Sequence, residues 1–167
     1  QIDAGREWRG GQRQVLFLVR ALKAKGRPVR LVCQPGSPLH EKAAAEGLPV
    51  LPIRMRSELD LRAVLKLARA MTREGCRLAH FHDAHAVAVG KAAAALAKVP
   101  VRIISRRVDF PVKSRRKYVK NVDAVIAISD EVKKVLVKGG VPAKIIEVVP
   151  SGIDFGPFRD VADRGFL

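Results

Sequence analysis

The sequence predicts an α/β domain of three layers, helix on sheet on helix, around a mostly parallel sheet of about seven strands. Three observations carry that reading. Short β-branched runs alternate with helical patterns from one end to the other. The helical stretches open at recognisable caps. A length of 167 residues with 48% hydrophobic content suffices for one domain with a sizeable core.

The strand candidates are residues 2–3 (a shortened first strand), 29–33, 50–53, 78–81, 101–105, 124–128 and 145–149. Between them Val15, Leu18, Val19 and Leu22 recur at helical spacing and mark the buried face of a first helix. Ser37 followed by Pro38 is a cap with proline in the first turn and starts a second. Ser57 with Asp60 resembles a capping box ahead of Leu61, Val64, Leu65, Ala68 and Met71, the stripe of a third. The alanines at 92–95 read as tight helix packing against the sheet. Ser129, with Asp130 and Glu131 behind it, caps a later helix with acids in its first turn. The domain is expected to span residues 1–154, and residues 155–167 lose the alternation and read as the start of a linker or crossing helix.

Composition excludes several classes. The longest uncharged run, residues 31–40, is far too short for a membrane span, and the mean hydropathy of +0.02 is that of a globular protein. Cys33 and Cys76 have no spacing that suggests zinc or a disulfide framework, so a reducing cytoplasm is expected. No targeting segment is visible. The net charge of +16 calls for an anionic partner: nucleic acid, a phosphorylated substrate or an acidic lipid surface.

Right-handed crossovers place the carboxyl ends of parallel strands on one edge, where ligands bind. The loops expected there are residues 4–11, 34–37, 54–57, 82–83, 106–112, 129–130 and 150–154. The first carries Gly10 and Gly11 at a helix start, which suits either a tight turn or an anion; the spacing is neither a dinucleotide fingerprint nor a Walker A. At the end of the fourth strand, alternation points His80 and His82 to one face, and Asp83 is placed to cap the next helix. His82 or His85 would either bind substrate or pack, and a metal is allowed by the spacing but not required. From Arg102 to Lys120 eight bases (Arg102, Arg106, Arg107, Lys113, Arg115, Arg116, Lys117 and Lys120) face one acid, Asp109, a one-sidedness that fits a contact surface for phosphates or acidic lipid.

Four segments then resemble, in order and spacing, the N-terminal domain of GT-B glycosyltransferases of family 4: GREWRGGQRQ (5–14), LAHFHDAHA (78–86), AVIAISDEVKKVL (124–136) and VVPSGIDFGPF (148–158). The resemblance implies one of two Rossmann-like halves facing across a cleft, this half holding the acceptor and the other the nucleotide-sugar. It implies that the backbone of Gly10 and Gly11 approaches the donor diphosphate or transferred sugar. His82, Asp83 and His85 match the loop whose polar residue touches the transferred sugar, so the catalytic role falls among these three. Trp8, Arg9, Arg106, Arg107 and Asp109 fall on the acceptor side, and Ser151 stands where the family more often has Asn. Lys113, Arg115, Arg116, Lys117 and Lys120 would form a membrane or anion surface.

Such enzymes retain anomeric configuration, need no metal and use the nucleotide-sugar as co-substrate without another cofactor. The implied acceptor is a cell-envelope glycan or glycolipid, and the implied place is the cytoplasm, peripheral on the inner face of the membrane. The half that reads the nucleotide-sugar, with its paired glutamates, is not among these 167 residues, so the chain alone is expected to bind acceptor weakly and transfer nothing. A basic α/β nucleic-acid-binding module is the alternative. It lacks any RRM, KH or zinc-finger pattern and is poor in stacking aromatics, so no nucleic-acid partner is expected. A self-contained nucleotide-binding domain is weakened by the absence of an acid at Cys33 and Gln34, where a ribose partner would stand.

Overall fold

The computed structural model describes residues 1–154. The expected linker at 155–167 lies outside them. In chain order the elements are α1 (Gly10–Ala24), β1 (Leu31–Cys33), α2 (Pro38–Ala45), β2 (Val50–Pro52), α3 (Leu61–Arg73), β3 (Leu78–Phe81), α4 (Ala84–Leu96), β4 (Val101–Arg106), α5 (Arg115–Val119), β5 (Ala124–Ala127), α6 (Asp130–Lys138) and β6 (Ile146–Val148). Every strand pairing is parallel, β1 with β2 and β3-β4-β5-β6 in sequence.

Among the described residues six strands form, where seven are expected, because the first is reduced to a bridge. Ile2 pairs with both Val32 and Phe81. Its N–H donates to His80 O at 2.8 Å and its carbonyl accepts from His82 N at 3.0 Å, while Asp3 N reaches Val32 O at 3.0 Å. This short segment therefore sits in mid-sheet and joins β1-β2 to β3-β6. Strand order reverses there, the position at which an open α/β sheet leaves a crevice at its carboxyl edge.

One face of the sheet is closed by α3, α4, α5 and α6 over Ala79, Phe81, Ile104, Val125, Ala127 and Ile146. Gly90 of α4 is needed for this closeness, since a Cβ there would lie 2.5 Å from the buried Phe81 ring. Of the alanines at 92–95, Ala93 and Ala94 are fully buried as expected, while Ala92 and Ala95 are exposed on the outer side of the helix. On the other face α1 and α2 cover β1 through Val15, Leu16, Val19, Leu39 and Ala43. Beyond α1, that face of β3, β4 and β5 (His80, Ile103, Ser105 and Ile126) lines a cavity of about 1040 Å³.

Ser37 and Ser129 cap α2 and α6 as expected, accepting from His40 N and Val132 N. Three local expectations are corrected. Asp60, not Ser57, caps α3, its carboxylate accepting from Ala63 N at 3.1 Å and Arg56 N at 3.0 Å. The buried stripe of α3 is Ala63, Val64, Leu67, Ala68 and Met71, with Leu61 and Leu65 turned outward. Both sets have helical spacing, but the small Ala63 and Ala68 let α4 approach. On α1 the buried set is Gln12, Val15, Leu16 and Val19. Leu18 and Leu22 are half-buried and face the large cavity, because the helix lies beside that opening and packs squarely only on β1 and α2.

Candidate functional site

The carboxyl edge at the strand-order reversal is built on two acids, Asp3, which is buried, and Asp83, which is half-buried. Asp3 is wholly buried one residue past the Ile2 bridge. It accepts from Gly5 N at 2.9 Å and from Gln12 Nε2 at 3.0 Å, tying the first loop to the first turn of α1. A Cβ on Gly5 would stand 2.4 Å from Gln12 Nε2 and 2.9 Å from Asp3 Oδ1, so a larger residue there would displace this hydrogen bond. Burial, then the neighbouring Asp83, raises the Asp3 pKa. Asp83 caps α4 with one oxygen, which accepts from His85 N at 2.9 Å and Ala86 N at 3.0 Å, and takes Ala4 N with the other at 2.5 Å. One carboxylate therefore joins the helix start to the first loop.

His80 and His82 share a face, their ring centroids 4.1 Å apart. His80 Nε2 meets Ser105 Oγ at 2.8 Å. Arg107 donates to His82 Nδ1 at 3.0 Å and to its carbonyl at 3.3 Å. A guanidinium can only donate, so Nδ1 is the bare nitrogen of His82 and Nε2–H donates to Gln1 Oε1 at 2.9 Å. Burial is the main cause that lowers the His80 pKa to about 3, and it holds His82 well below the usual imidazole range, with the charge of Arg107 adding to both. Both rings are neutral and both nitrogens of His82 are engaged. His85, exposed in the first turn of α4, is the member of the His-Asp loop open to solvent.

Gly10 and Gly11 open α1, and Gly10 is exposed. A Cβ on Gly10 would meet nothing within 4 Å, and one on Gly11 only Arg107 Cδ at 4.0 Å. Nothing among the described residues demands glycine at Gly10, and the bare backbone leaves room beside the first N–H groups of the helix. Trp8 and Arg9 stand exposed on the same loop, with Lys42 Nζ 5.1 Å from the Trp8 ring and Arg9 paired to Glu7. At the far end of the motif, Gln14 exchanges two hydrogen bonds with Gly152, at 2.7 and 3.1 Å, and so fastens residues 150–154 against α1. Ser151 and Arg107 line the large cavity that runs from here along the sheet.

The structure thus brings together Gly10, Gly11, His82, Asp83, His85 and Arg107. It does not bring Arg106 to them. Arg106 points to the other face of β4, is buried, and holds Tyr118 OH and Phe110 O. Asp109 is exposed, and Lys113, Arg115, Arg116, Lys117 and Lys120 lie on the segment beyond it, around α5. Among the described residues no three His, Cys, Asp or Glu side chains gather as a metal site, and no helix is long and apolar enough to cross a membrane. Asp3, Gln12 and Gln14 are additions. Asp3 follows a strand stub at the carboxyl edge, and both glutamines lie in the first motif segment, which is the signal that could have found them.

The sequence model of Glycosyltransferase Family 4 matches residues 8–156. No curated protein matches the chain. Among solved structures the fold is similar to a glycosyltransferase from Rickettsia africae ESF-5, with TM-score 0.75 and 16% identity over 95% of this chain and 45% of that one. It is similar to Anabaena HepE, crystallised with UDP and glucose, with TM-score 0.72 and 15% identity over 92% and 44%. It also resembles WaaB, a lipopolysaccharide outer core galactosyltransferase, with TM-score 0.69 and 12% identity over 92% and 45%. The chain spans less than half the length of each of these three.

Proposed function

Because the chain belongs to glycosyltransferase family 4 and has the α/β architecture of a GT-B half, we propose that it is the N-terminal, acceptor-binding half of a retaining glycosyltransferase. The observation that carries this reading is convergence. The first motif segment is bonded to the second through Asp83 and Ala4, and to the fourth through Gln14 and Gly152, at one sheet edge. Three segments far apart in sequence would not meet at the strand-order reversal for the sake of a diffuse basic surface.

In this reading the donor is a nucleotide-sugar held by the opposite half, of the UDP-sugar class that HepE was crystallised with. Its diphosphate or sugar approaches the open backbone of Gly10 and Gly11. His85, exposed beside them, contacts the transferred sugar, while Asp83 and His82 position the loop through bonds they already make. The acceptor, a cell-envelope glycan or glycolipid as for WaaB, enters past Trp8, Arg9, Arg107 and Asp109. The exposed bases Lys113, Arg115 and Arg116 rest on the anionic inner leaflet, which makes the protein cytoplasmic and peripheral. No metal takes part.

The test is transfer from a radiolabelled UDP-hexose to an envelope lipid extract. The 167-residue chain alone is expected to transfer nothing, and the chain combined with a nucleotide-sugar-binding half to transfer label. In the combined enzyme His85→Ala should lower kcat about 10- to 100-fold with the fold intact. Transfer by the chain alone overturns the half-enzyme reading. Salt-sensitive binding of duplex DNA or RNA, tighter than to acidic vesicles, overturns the acceptor reading in favour of nucleic acid.

A further inference from the structure

The bases of the 102–120 segment do not all face solvent. Arg106 is buried, its guanidinium 5.4 Å from the centroid of the Tyr118 ring, and its Nε has no hydrogen-bond partner among the described residues. Beside it stands Lys91, which comes from α4 and lies outside the basic segment altogether. Its ammonium donates to Lys117 O at 2.7 Å. Burial, then Lys117, Lys120, Arg102 and Arg116, push its pKa down to about 8. Lys91, Arg106, Arg116, Lys117 and Lys120 line a cavity of about 630 Å³. Among the described residues the one ion pair in its wall is loose, Lys117 Nζ to Glu58 Oε1 at 3.8 Å. Val108 and Phe110 also line it and are 45% and 69% exposed.

A fold gathers like charges around a concave space at a cost, and an anion of more than one charge offsets it. We propose that this cavity binds the phosphoryl headgroup of a lipid, a phosphomonoester or diphosphate, with Lys91, Arg116, Lys117 and Lys120 around the phosphate and the lipid chain against Val108 and Phe110. The apolar wall argues for a lipid over a free phosphate. Tyr118 is buried beneath Arg106 and offers no face to a base, which leaves Phe110 as the ring that separates the two ligands: competition by a nucleoside diphosphate would overturn the lipid. The proposal deepens the acceptor reading and rests on it. It names a discrete site, with Lys91 and Arg106 at its floor, where that reading has an exposed basic surface.

The experiment is binding of the chain to phosphatidylcholine vesicles doped with phosphatidic acid, set against vesicles doped with phosphatidylserine to the same surface potential. Phosphatidic acid is expected to bind at least 10-fold tighter. Lys91→Gln should abolish that preference, Lys91→Arg should restore most of it, and Arg115→Glu, outside the cavity, should weaken both vesicles alike. If Lys91→Gln does not fold, the exposed pair Arg116→Gln with Lys120→Gln reads the same loss. Equal binding of the two vesicles by the unaltered chain, or a preference that survives these substitutions, overturns the site. Competition by glycerol 3-phosphate at the concentration where phosphatidic acid itself competes assigns a free phosphate and overturns the lipid. Because the readout is binding, failure of sugar transfer leaves this result standing, and failure here leaves transfer to be measured separately.

Discussion

Two charged regions of this molecule are built on opposite terms. Beneath the first loop, Asp3, Asp83, His82 and Arg107 are buried or half-buried and every one is answered by a named donor or acceptor. Around α5, Lys91, Arg102, Arg106, Arg116 and Lys120 are gathered with no carboxylate paired to any of them among the described residues, and the partners of Lys91 and Arg106 are neutral oxygens (Lys117 O, Tyr118 OH and Phe110 O), whereas Arg107 lies in the field of Asp3 and Asp83. Charge that is answered inside the fold positions backbone. Charge left unanswered stores an electrostatic cost that a ligand can relieve. The sign of the stability change on removing a charge therefore separates the two.

The largest effect is expected at Asp83. Alanine there strips the cap of α4 and leaves the N–H groups of Ala4, His85 and Ala86 without their acceptor, at a cost of about 3–4 kcal/mol. Urea unfolding measures it. A loss below about 1 kcal/mol would mean that the carboxylate is an ordinary surface cap, and the contrast between the regions would blunt.

Acid comes next, through the paired histidines. The His80 pKa is about 3 when folded and near the ordinary imidazole value when unfolded, so its stabilising contribution is complete above about pH 6.5. As pH falls below that, the unfolded chain takes up a proton that the native ring refuses, and stability drops until the folded pKa is reached. By pH 4 the loss is on the order of 3 kcal/mol, or roughly 10 °C in Tm. Asp3, with its raised pKa, works the other way and recovers part of it. His80→Asn should flatten the Tm profile between pH 6.5 and 4. An unchanged slope would place the acid sensitivity elsewhere.

Arg107→Ala should cost about 1–2 kcal/mol, because His82 Nδ1 and the His82 carbonyl lose their donor in a half-buried place. A neutral or stabilising result would move Arg107 into the unanswered class with Arg106, its neighbour in sequence.

How far these contrasts could be read from the chain depends on whether they are local. Element order, the caps at Ser37, Ser129 and Asp83, and the shared face of His80 and His82 follow from spacing over a few residues, and they stand in the structure. The faces of α1 and α3 are harder. Leu61 and Leu65 repeat with the same period as Ala63 and Leu67, and only packing against α4 decides between the two stripes. Arg106 and Arg107 look alike as a pair, yet alternation along β4 sends one to each face of the sheet. Lys91 carries no local signal, since it sits in an alanine-rich helix and meets the basic segment only when α4 and α5 come together. Asp3 is legible in principle, as a carboxylate that ends the shortened first strand at the carboxyl edge.

The smallest effect is the most discriminating. Lys91 has its pKa lowered to about 8 by burial and by Lys117, Lys120, Arg102 and Arg116, so the charged form at pH 7 opposes folding. The unfolded chain holds this proton to about pH 10.5, so between pH 8 and 10.5 stability should rise with pH at this site. At pH 7, Lys91→Met should stabilise by about 1 kcal/mol, a figure discounted for solvent screening and for the lost bond to Lys117 O. It should also remove the high-pH rise in Tm. Phosphatidic acid in short-chain form should raise the Tm of the unaltered chain and leave the variant where it is, because the ligand would supply the negative charge that the fold lacks. A variant less stable than the parent by 1 kcal/mol or more would show that Lys91 is answered after all, through Lys117 O, and the two regions would then obey one rule.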